Sequence, residues 1–154
     1  WRAYLMVKIK AVIPAGGLGT RFLPLTKSQP KEMLPIVDKP TIQWVLEEAV
    51  DAGITDIAII TGNQKDSIRR HFTSAVELED LLLKSNKIEE LNKVKALSAI
   101  ASIEFINQDE PKGLGHAILC AKDFIGKSPF VVLLGDTICV GKDNCTSKLK
   151  DLYS

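Results

Sequence analysis

The sequence predicts a doubly wound α/β fold around a mostly parallel sheet, on three observations. Four short apolar, β-branched runs, at 8–14, 56–61, 103–107 and 130–134, have strand length. Stretches of helical periodicity alternate with them. The first run empties into a long loop rich in Gly and Pro, and the ends of parallel strands are where such sheets bind ligands. With 154 residues, 45% apolar and 25% charged, the composition is that of one ordinary soluble domain. A chain of that size buries roughly two-thirds of its unfolded surface, so a core is expected without metal or disulfide support.

Taken in order, Lys-Ile-Lys-Ala-Val-Ile-Pro at 8–14 predicts a buried strand ending in the glycine loop. Ile42, Val45, Leu46, Ala49 and Val50 recur at i, i+3, i+4, i+7 and i+8, which predicts an amphipathic helix stopped by Gly53. Asp56–Thr61 is a continuous apolar run, the pattern of a parallel strand covered on both faces. Lys65–Phe72 predicts a short helix with Ile68 and Phe72 on one face. Val76 to about Leu97 is helical and laced with charge, including Asp80/Lys84 and Glu89/Lys93 at i,i+4. Ser85-Asn86 is a candidate break there, and the mixed charges mark a solvated face rather than a binding site. Ile103–Asn107 follows as a strand, Gly115–Ile125 as a helix, and Phe130–Leu134 as the most apolar strand. No internal repeat, low-complexity tract or linker divides the chain.

Charge and cysteine usage narrow the function classes. Twenty Lys plus Arg against nineteen Asp plus Glu leave a net charge of +1, too balanced for broad attraction to nucleic acid or an anionic membrane. Any bound anion must therefore be met locally. Trp1 and Trp44 do not form the basic aromatic platform that nucleic acid requires. No apolar run reaches the ~20 residues of a membrane span, and no secretory leader is expected. Cys120, Cys139 and Cys145 lack C-x-x-C spacing and a paired His cluster, and read as reduced thiols of a cytoplasmic protein. Residues 1–5 precede Met6 and read as extraneous to the domain.

The chemistry concentrates after the strands. The first loop runs Ala15-Gly16-Gly17-Leu18-Gly19-Thr20-Arg21-Phe22-Leu23-Pro24 and on to Lys31-Glu32-Met33-Leu34-Pro35. Its glycines permit positive φ and close backbone approach, so successive N–H groups can face phosphate oxygens while Arg21 and Lys31 neutralise them. It is not a P-loop, because Thr20-Arg21 follows Gly19 where Lys-Ser/Thr is needed, nor a dinucleotide fingerprint, because Phe22 takes the place of the last glycine. Asp136 ends the fourth strand behind Gly135, where a carboxylate either holds a cation or caps a turn. On its own terms Gln108 reads as an exposed loop amide, and Asp109 and Glu110 as solvated charges. His116, near a helix start, reads as a packed or capping residue or as a phosphate or sugar contact, and His71 as a packed histidine.

The spaced motif Gly-Gly-Leu-Gly-Thr-Arg-Phe-Leu-Pro-x-Thr-x-x-x-Pro-Lys-Glu-Met-Leu-Pro, residues 16–35, resembles the signature of the sugar-nucleotide pyrophosphorylases. With Val37-Asp38-Lys39-Pro40 and Lys112-Gly113-Leu114-Gly115-His116-Ala117, the sequence looks most like the bacterial and archaeal UTP-glucose-1-phosphate uridylyltransferase branch, over roughly Lys8 to Asp136. The resemblance implies a Rossmann-like nucleotide-diphospho-sugar transferase fold, here incomplete, with 6–154 as the N-terminal part of a single nucleotidyltransferase domain. It implies transfer of uridylyl from UTP to glucose 1-phosphate with Mg²⁺ as cofactor. Ala15 and Gly16 would then face the base, Gly17, Leu18, Gly19, Thr20 and Arg21 the triphosphate, Lys31 the reacting phosphates, and Asp136 the metal. Gln108, at its family spacing from Gly113, would read uracil, with His116 nearby. Arg21 and Lys31 are the catalytic candidates.

The family continues well beyond this length with its sugar-holding glutamate and lysine and a second metal carboxylate, which have no counterpart here. A homo-oligomer is expected, since missing strands leave an edge to be covered. A non-catalytic nucleotide-binding module, a thymidylyl or other sugar-1-phosphate enzyme, and a different α/β enzyme such as a NAD-dependent one remain open alternatives.

Overall fold

The computed structural model describes residues 8–62, 66–139 and 144–153. Its first strand, β1 (Lys10–Pro14), has Ala11, Val12 and Ile13 wholly buried, as a β-branched run covered on both faces should. The glycine loop folds into three short 3₁₀ turns, Thr20–Phe22, Leu25–Lys27 and Lys31–Met33. It ends in a minimal hairpin, β2 (Pro35–Ile36) and β3 (Lys39–Pro40), turned through Val37 at φ 63. Helix α1 (Thr41–Asp51) buries Ile42, Val45, Leu46 and Ala49, the predicted stripe, and Gly53 at φ 75 makes the left-handed exit. β4 (Asp56–Thr61) follows with its predicted bounds, then α2 (Asp66–Phe72), whose Ile68 and Phe72 face inward. Lys65 lies outside the described residues.

The long charged stretch divides at the candidate break into α3 (Val76–Lys84) and α4 (Ile88–Ser98), with Asn86 at φ 55 between them. Asparagine tolerates that conformation better than most residues, which explains the site of the break. Both helices are mostly exposed; no residue of α3 is buried and Leu91 alone is buried in α4. After β5 (Ser102–Asn107), the helix predicted over Gly115–Ile125 appears as two, α5 (Leu114–Cys120) and α6 (Lys122–Ile125). They part at Ala121, whose N–H donates to Ile118 O at 3.0 Å in a tighter turn that seats the Ala121 methyl fully buried. β6 covers only Phe130–Val132, shorter than predicted, because its ladder ends at the pair Val12↔Val132. A last helix, α7 (Cys145–Tyr153), and the β2–β3 hairpin have no counterpart in the sequence reading.

The sheet is four-stranded and parallel, in the order β5-β4-β1-β6. One core joins Ala11, Ile13, Ile57 and Ile59 to α1 and α2; on the other face Val12, Ala58 and Ile60 pack against Ala117, Ala121 and Ile125 of α5 and α6. Helices thus cover both faces of a mostly parallel sheet, the doubly wound arrangement. Strands β4 and β5 build out to one side of β1, after which the chain crosses back to lay β6 on the other. The order reverses between β1 and β6, and a crevice opens at their carboxyl ends.

Candidate nucleotide site

Everything that leaves the carboxyl end of β1 or β6 meets in that crevice. Gly135, just past β6, is packed so closely on the end of β1 that a Cβ there would stand 3.2 Å from Pro14 O and 3.3 Å from Glu32 Cγ. Glycine lets the two strand ends approach this closely without displacing either. Asp136 follows, and its Oδ2 accepts from Lys31 Nζ at 2.6 Å, across 105 residues of sequence. Both side chains are partly accessible, 25% for Lys31 and 39% for Asp136, so the pair is open to solvent.

Lys31 is held by the glycine loop itself. A Cβ on Gly17 would touch Lys31 Cε at 4.0 Å, and one on Gly19, whose φ is 65, would sit 3.5 Å from Lys31 Cβ. Thr26 Oγ1 donates to Gly19 O at 2.7 Å and pins the turn. Ala15 N donates to Ile60 O at 2.8 Å and Phe22 N to Gly19 O at 2.9 Å. Between those two bonds, among the described residues, no backbone carbonyl accepts from the amides of Gly16 to Arg21. Six consecutive N–H groups without a backbone acceptor, beside a lysine, are donors that phosphate oxygens could take up. Arg21 stands exposed on the first 3₁₀ turn, and no ion pair or hydrogen bond among the described residues ties it to the Lys31–Asp136 pair. Leu18 is 72% exposed at the tip of the loop.

Gln108 corrects the reading made from the residue alone. It is buried, not an exposed loop amide, because Gln108 N donates to Thr61 O at 2.7 Å and draws the residue in beside the end of β4. Its Oε1 occupies the space a Cβ on Gly16 would need, 2.6 Å away. Its Nε2 donates to Gly113 O at 3.3 Å and lies 3.0 Å from His116 Nδ1. His116 is half-buried against this amide. Gly113, at φ 92, needs to be glycine where the chain enters α5. Asp109 takes a hydrogen bond from Asn107 and Glu110 pairs with Lys112 in the open, as solvated charges do.

Two contributors went unassigned in the sequence reading. Glu32 is 1% exposed beneath Gly135, and Gly62, after β4, comes within 3.5 Å of Gly16 O at its Cβ position. A glutamate inside an otherwise apolar Met-Leu-Pro stretch was the available signal for the first; nothing local marks the second.

The comparisons with known proteins agree with this geometry. The family model for nucleotidyl transferases matches residues 10–151. YngB, a UTP–glucose-1-phosphate uridylyltransferase of Bacillus subtilis strain 168, is 57% identical over 144 residues, 94% of this chain and 48% of that protein. A second Bacillus subtilis protein of that activity is 58% identical over 144 residues, 94% of this chain and 49% of its own length. Among solved structures, a UTP-bound UGPase from Acinetobacter baumannii superposes with TM-score 0.90 at 42% identity, covering 94% of this chain and 52% of that one. A UDP-glucose pyrophosphorylase complexed with UDP-glucose gives TM-score 0.79 at 41% identity, covering 94% and 53%. The chain spans about half the length of the curated relatives it matches. The glycine loop, the crevice at the reversal of strand order and a match over residues 10–151 together establish that this chain belongs to the nucleotidyl transferase family.

Proposed function

We propose that the chain is the nucleotide-binding half of a UTP-glucose-1-phosphate uridylyltransferase. The observation that supports this most is the Lys31–Asp136 pair at the reversal between β1 and β6, beside the unpaired amides of the glycine loop. In this reading the amides of residues 16–21 and the Arg21 guanidinium hold the triphosphate, and Lys31 turns from Asp136 to the reacting phosphates. Ala15 and Gly16 face the base, and Gln108 reads uracil through Oε1 and through an N–H released from Gly113 or His116 when the base enters.

A sugar 1-phosphate is an ionised nucleophile, so its attack on the α-phosphorus of UTP needs no protein base. Catalysis then consists of holding two anions in line and neutralising charge as pyrophosphate departs. Asp136 suits Mg²⁺: it is one hard carboxylate at a phosphate cradle, and Mg²⁺ in nucleotide sites takes one or two carboxylates plus phosphates and waters. Bound there, the ion would neutralise phosphate charge. The glucose 1-phosphate half of the site is expected from the length of the relatives not spanned here.

Two wider assignments go with this reading. A cytoplasmic setting fits three cysteines that are free thiols; among the described residues no helix is long and apolar enough to cross a membrane. A homo-oligomer fits the β6 edge and the apolar groove beside it. Calorimetric titration with UTP and ATP, each with and without Mg²⁺, tests the central claim. UTP is expected to bind in preference and more tightly with Mg²⁺; equal or tighter binding of ATP overturns the assignment of Gln108.

A further inference from the structure

On the α1 side of β6, away from the nucleotide crevice, lies a second cluster with ligand chemistry. Glu48 of α1, Cys139 beyond β6 and Cys145 at the start of α7 each bring one ligand atom within 4.8 Å of the others. Among the described residues no other group of three His, Cys, Asp or Glu side chains meets so closely. The three line a cavity of about 190 Å³ together with Thr137, Thr146 and Leu149.

We infer that Glu48, Cys139 and Cys145 form a binding site for a thiophilic divalent cation of the Zn²⁺ class. Two sulfurs and a carboxylate oxygen suit Zn²⁺ with a fourth position left for water, and do not suit Mg²⁺, which demands oxygen ligands. The carboxylate is held for the task. Glu48 Oε1 accepts from Thr146 N at 3.0 Å and from Thr146 Oγ1 at 2.8 Å, inside the first turn of α7, where the helix dipole favours an anion. Asn144 ties the same helix to α1, donating from Nδ2 to Glu48 O at 2.8 Å while its Oδ1 caps Ser147 N at 2.8 Å. Such hydrogen bonds behind a ligand orient it and sharpen metal affinity.

The hydrogen bond with Cys145, then desolvation and the Glu48 charge, push the Cys139 thiol up to about 11. A cation bound here would form two metal–sulfur bonds in place of the S–H bonds, so its affinity should tighten as pH rises. A bound ion would clamp α1 and α7 to the segment three residues beyond Asp136.

The chain, reduced and stripped with a chelator, is titrated with Co²⁺ and followed by absorption, then back-titrated with Zn²⁺. One Co²⁺ per chain is expected, with the near-ultraviolet thiolate charge-transfer band and the intense visible bands of tetrahedral coordination. Zn²⁺ should displace it and Mg²⁺ should not. C139S and C145S should abolish the charge-transfer band or halve it, C120S should leave it intact, and T146V should weaken Zn²⁺ binding by roughly 10–100-fold. Circular dichroism identifies any variant that fails to fold, and C139S, an exposed position outside the described helices, carries the test if C145S does so. Absence of the band in the reduced chain, its survival at full intensity in C139S, or its dependence on Cys120 overturns the inference. So does a Cys139–Cys145 disulfide forming in air while the reduced thiols take no metal.

Discussion

The carboxyl end of the sheet and its β6 edge are built from the same parallel strands but present opposite chemistry. At the carboxyl end the contacts are few, polar and closely toleranced: an ammonium 2.6 Å from a carboxylate, and an amide oxygen in the place of a missing Cβ. At the β6 edge the contacts are apolar and loose. A groove of about 750 Å³ runs there between β6 and α7, lined by Ile54, Phe130, Val131, Leu149 and Tyr153, and Phe130 is 42% exposed. Lys127, Ser128, Thr146 and Lys150 also line this groove, but neither the Lys31–Asp136 pair nor the glycine loop belongs to it, so the volume lies away from the chemistry. Hydrophobic burial is non-directional and tolerates slack, whereas recognition of a phosphate or a base requires atoms placed to a few tenths of an ångström.

The largest effect that would break this contrast is in catalysis. In an active full-length enzyme, Lys31→Ala should lower kcat by about 10²–10³-fold, the scale of losing one charge-stabilising group, with the melting temperature nearly unchanged. Kinetics beside thermal unfolding check this, and a near wild-type kcat would move the role to Arg21. Stability should divide the other way. Ile59→Ala, at a wholly buried position of β4, is expected to cost about 2–5 kcal/mol in denaturant unfolding, while Leu149→Ala, 57% exposed in the groove, should cost less than about 1 kcal/mol. Equal losses would mean that the β6 edge is covered in solution.

Two glycines sharpen the comparison at smaller scale. Gly16→Ala forces a methyl to within 2.6 Å of Gln108 Oε1 and should cost about 1–3 kcal/mol together with UTP affinity. Gly115→Ala meets nothing within 4 Å in α5 and should stabilise the fold by up to about 1 kcal/mol. Paired unfolding curves and titrations decide whether close tolerance is confined to the crevice. The smallest effect lies away from both regions. His71, half-buried on α2 with Nε2 2.9 Å from Gln43 Oε1, has its pKa lowered by burial below 6.5. The unfolded chain therefore takes up this proton first, so its contribution is complete above about pH 6.5 and is lost as pH falls through the depressed folded value. A stability–pH profile should decline more steeply on the acid side for the wild type than for His71→Gln.

Much of this was legible in the chain. The stripe of α1, the bounds of β4, the break near Asn86 and the phosphate chemistry of residues 16–31 follow from periodicity, glycine placement and charge, all of which are local. The helix over 115–125 was misread as one piece because the turn at Ala121 depends on packing against the sheet, and α7 went unread because its apolar face packs on α1. Phe130–Leu134 is the most apolar strand in composition, yet it stands at the edge, since hydropathy records what a strand can bury and not what lies beside it.

By itself the sequence determined the alternation of strands and helices, the loop that can receive phosphates and the residue types available to it. Tertiary structure alone decided that Lys31 meets Asp136, that Gln108 is buried against Gly16, and that Glu48, Cys139 and Cys145 share one cavity. Each of these joins residues about 90 or more positions apart, apart from Cys139 and Cys145, which are near neighbours in sequence. Local spacing encodes the direction of a side chain along its own element. Parallel pairing of β5 with β4 and β1 brings Gln108 to Gly16, and the crossing of the chain from β5 back to the far side of β1 brings Asp136 to Lys31 and the two cysteines to Glu48.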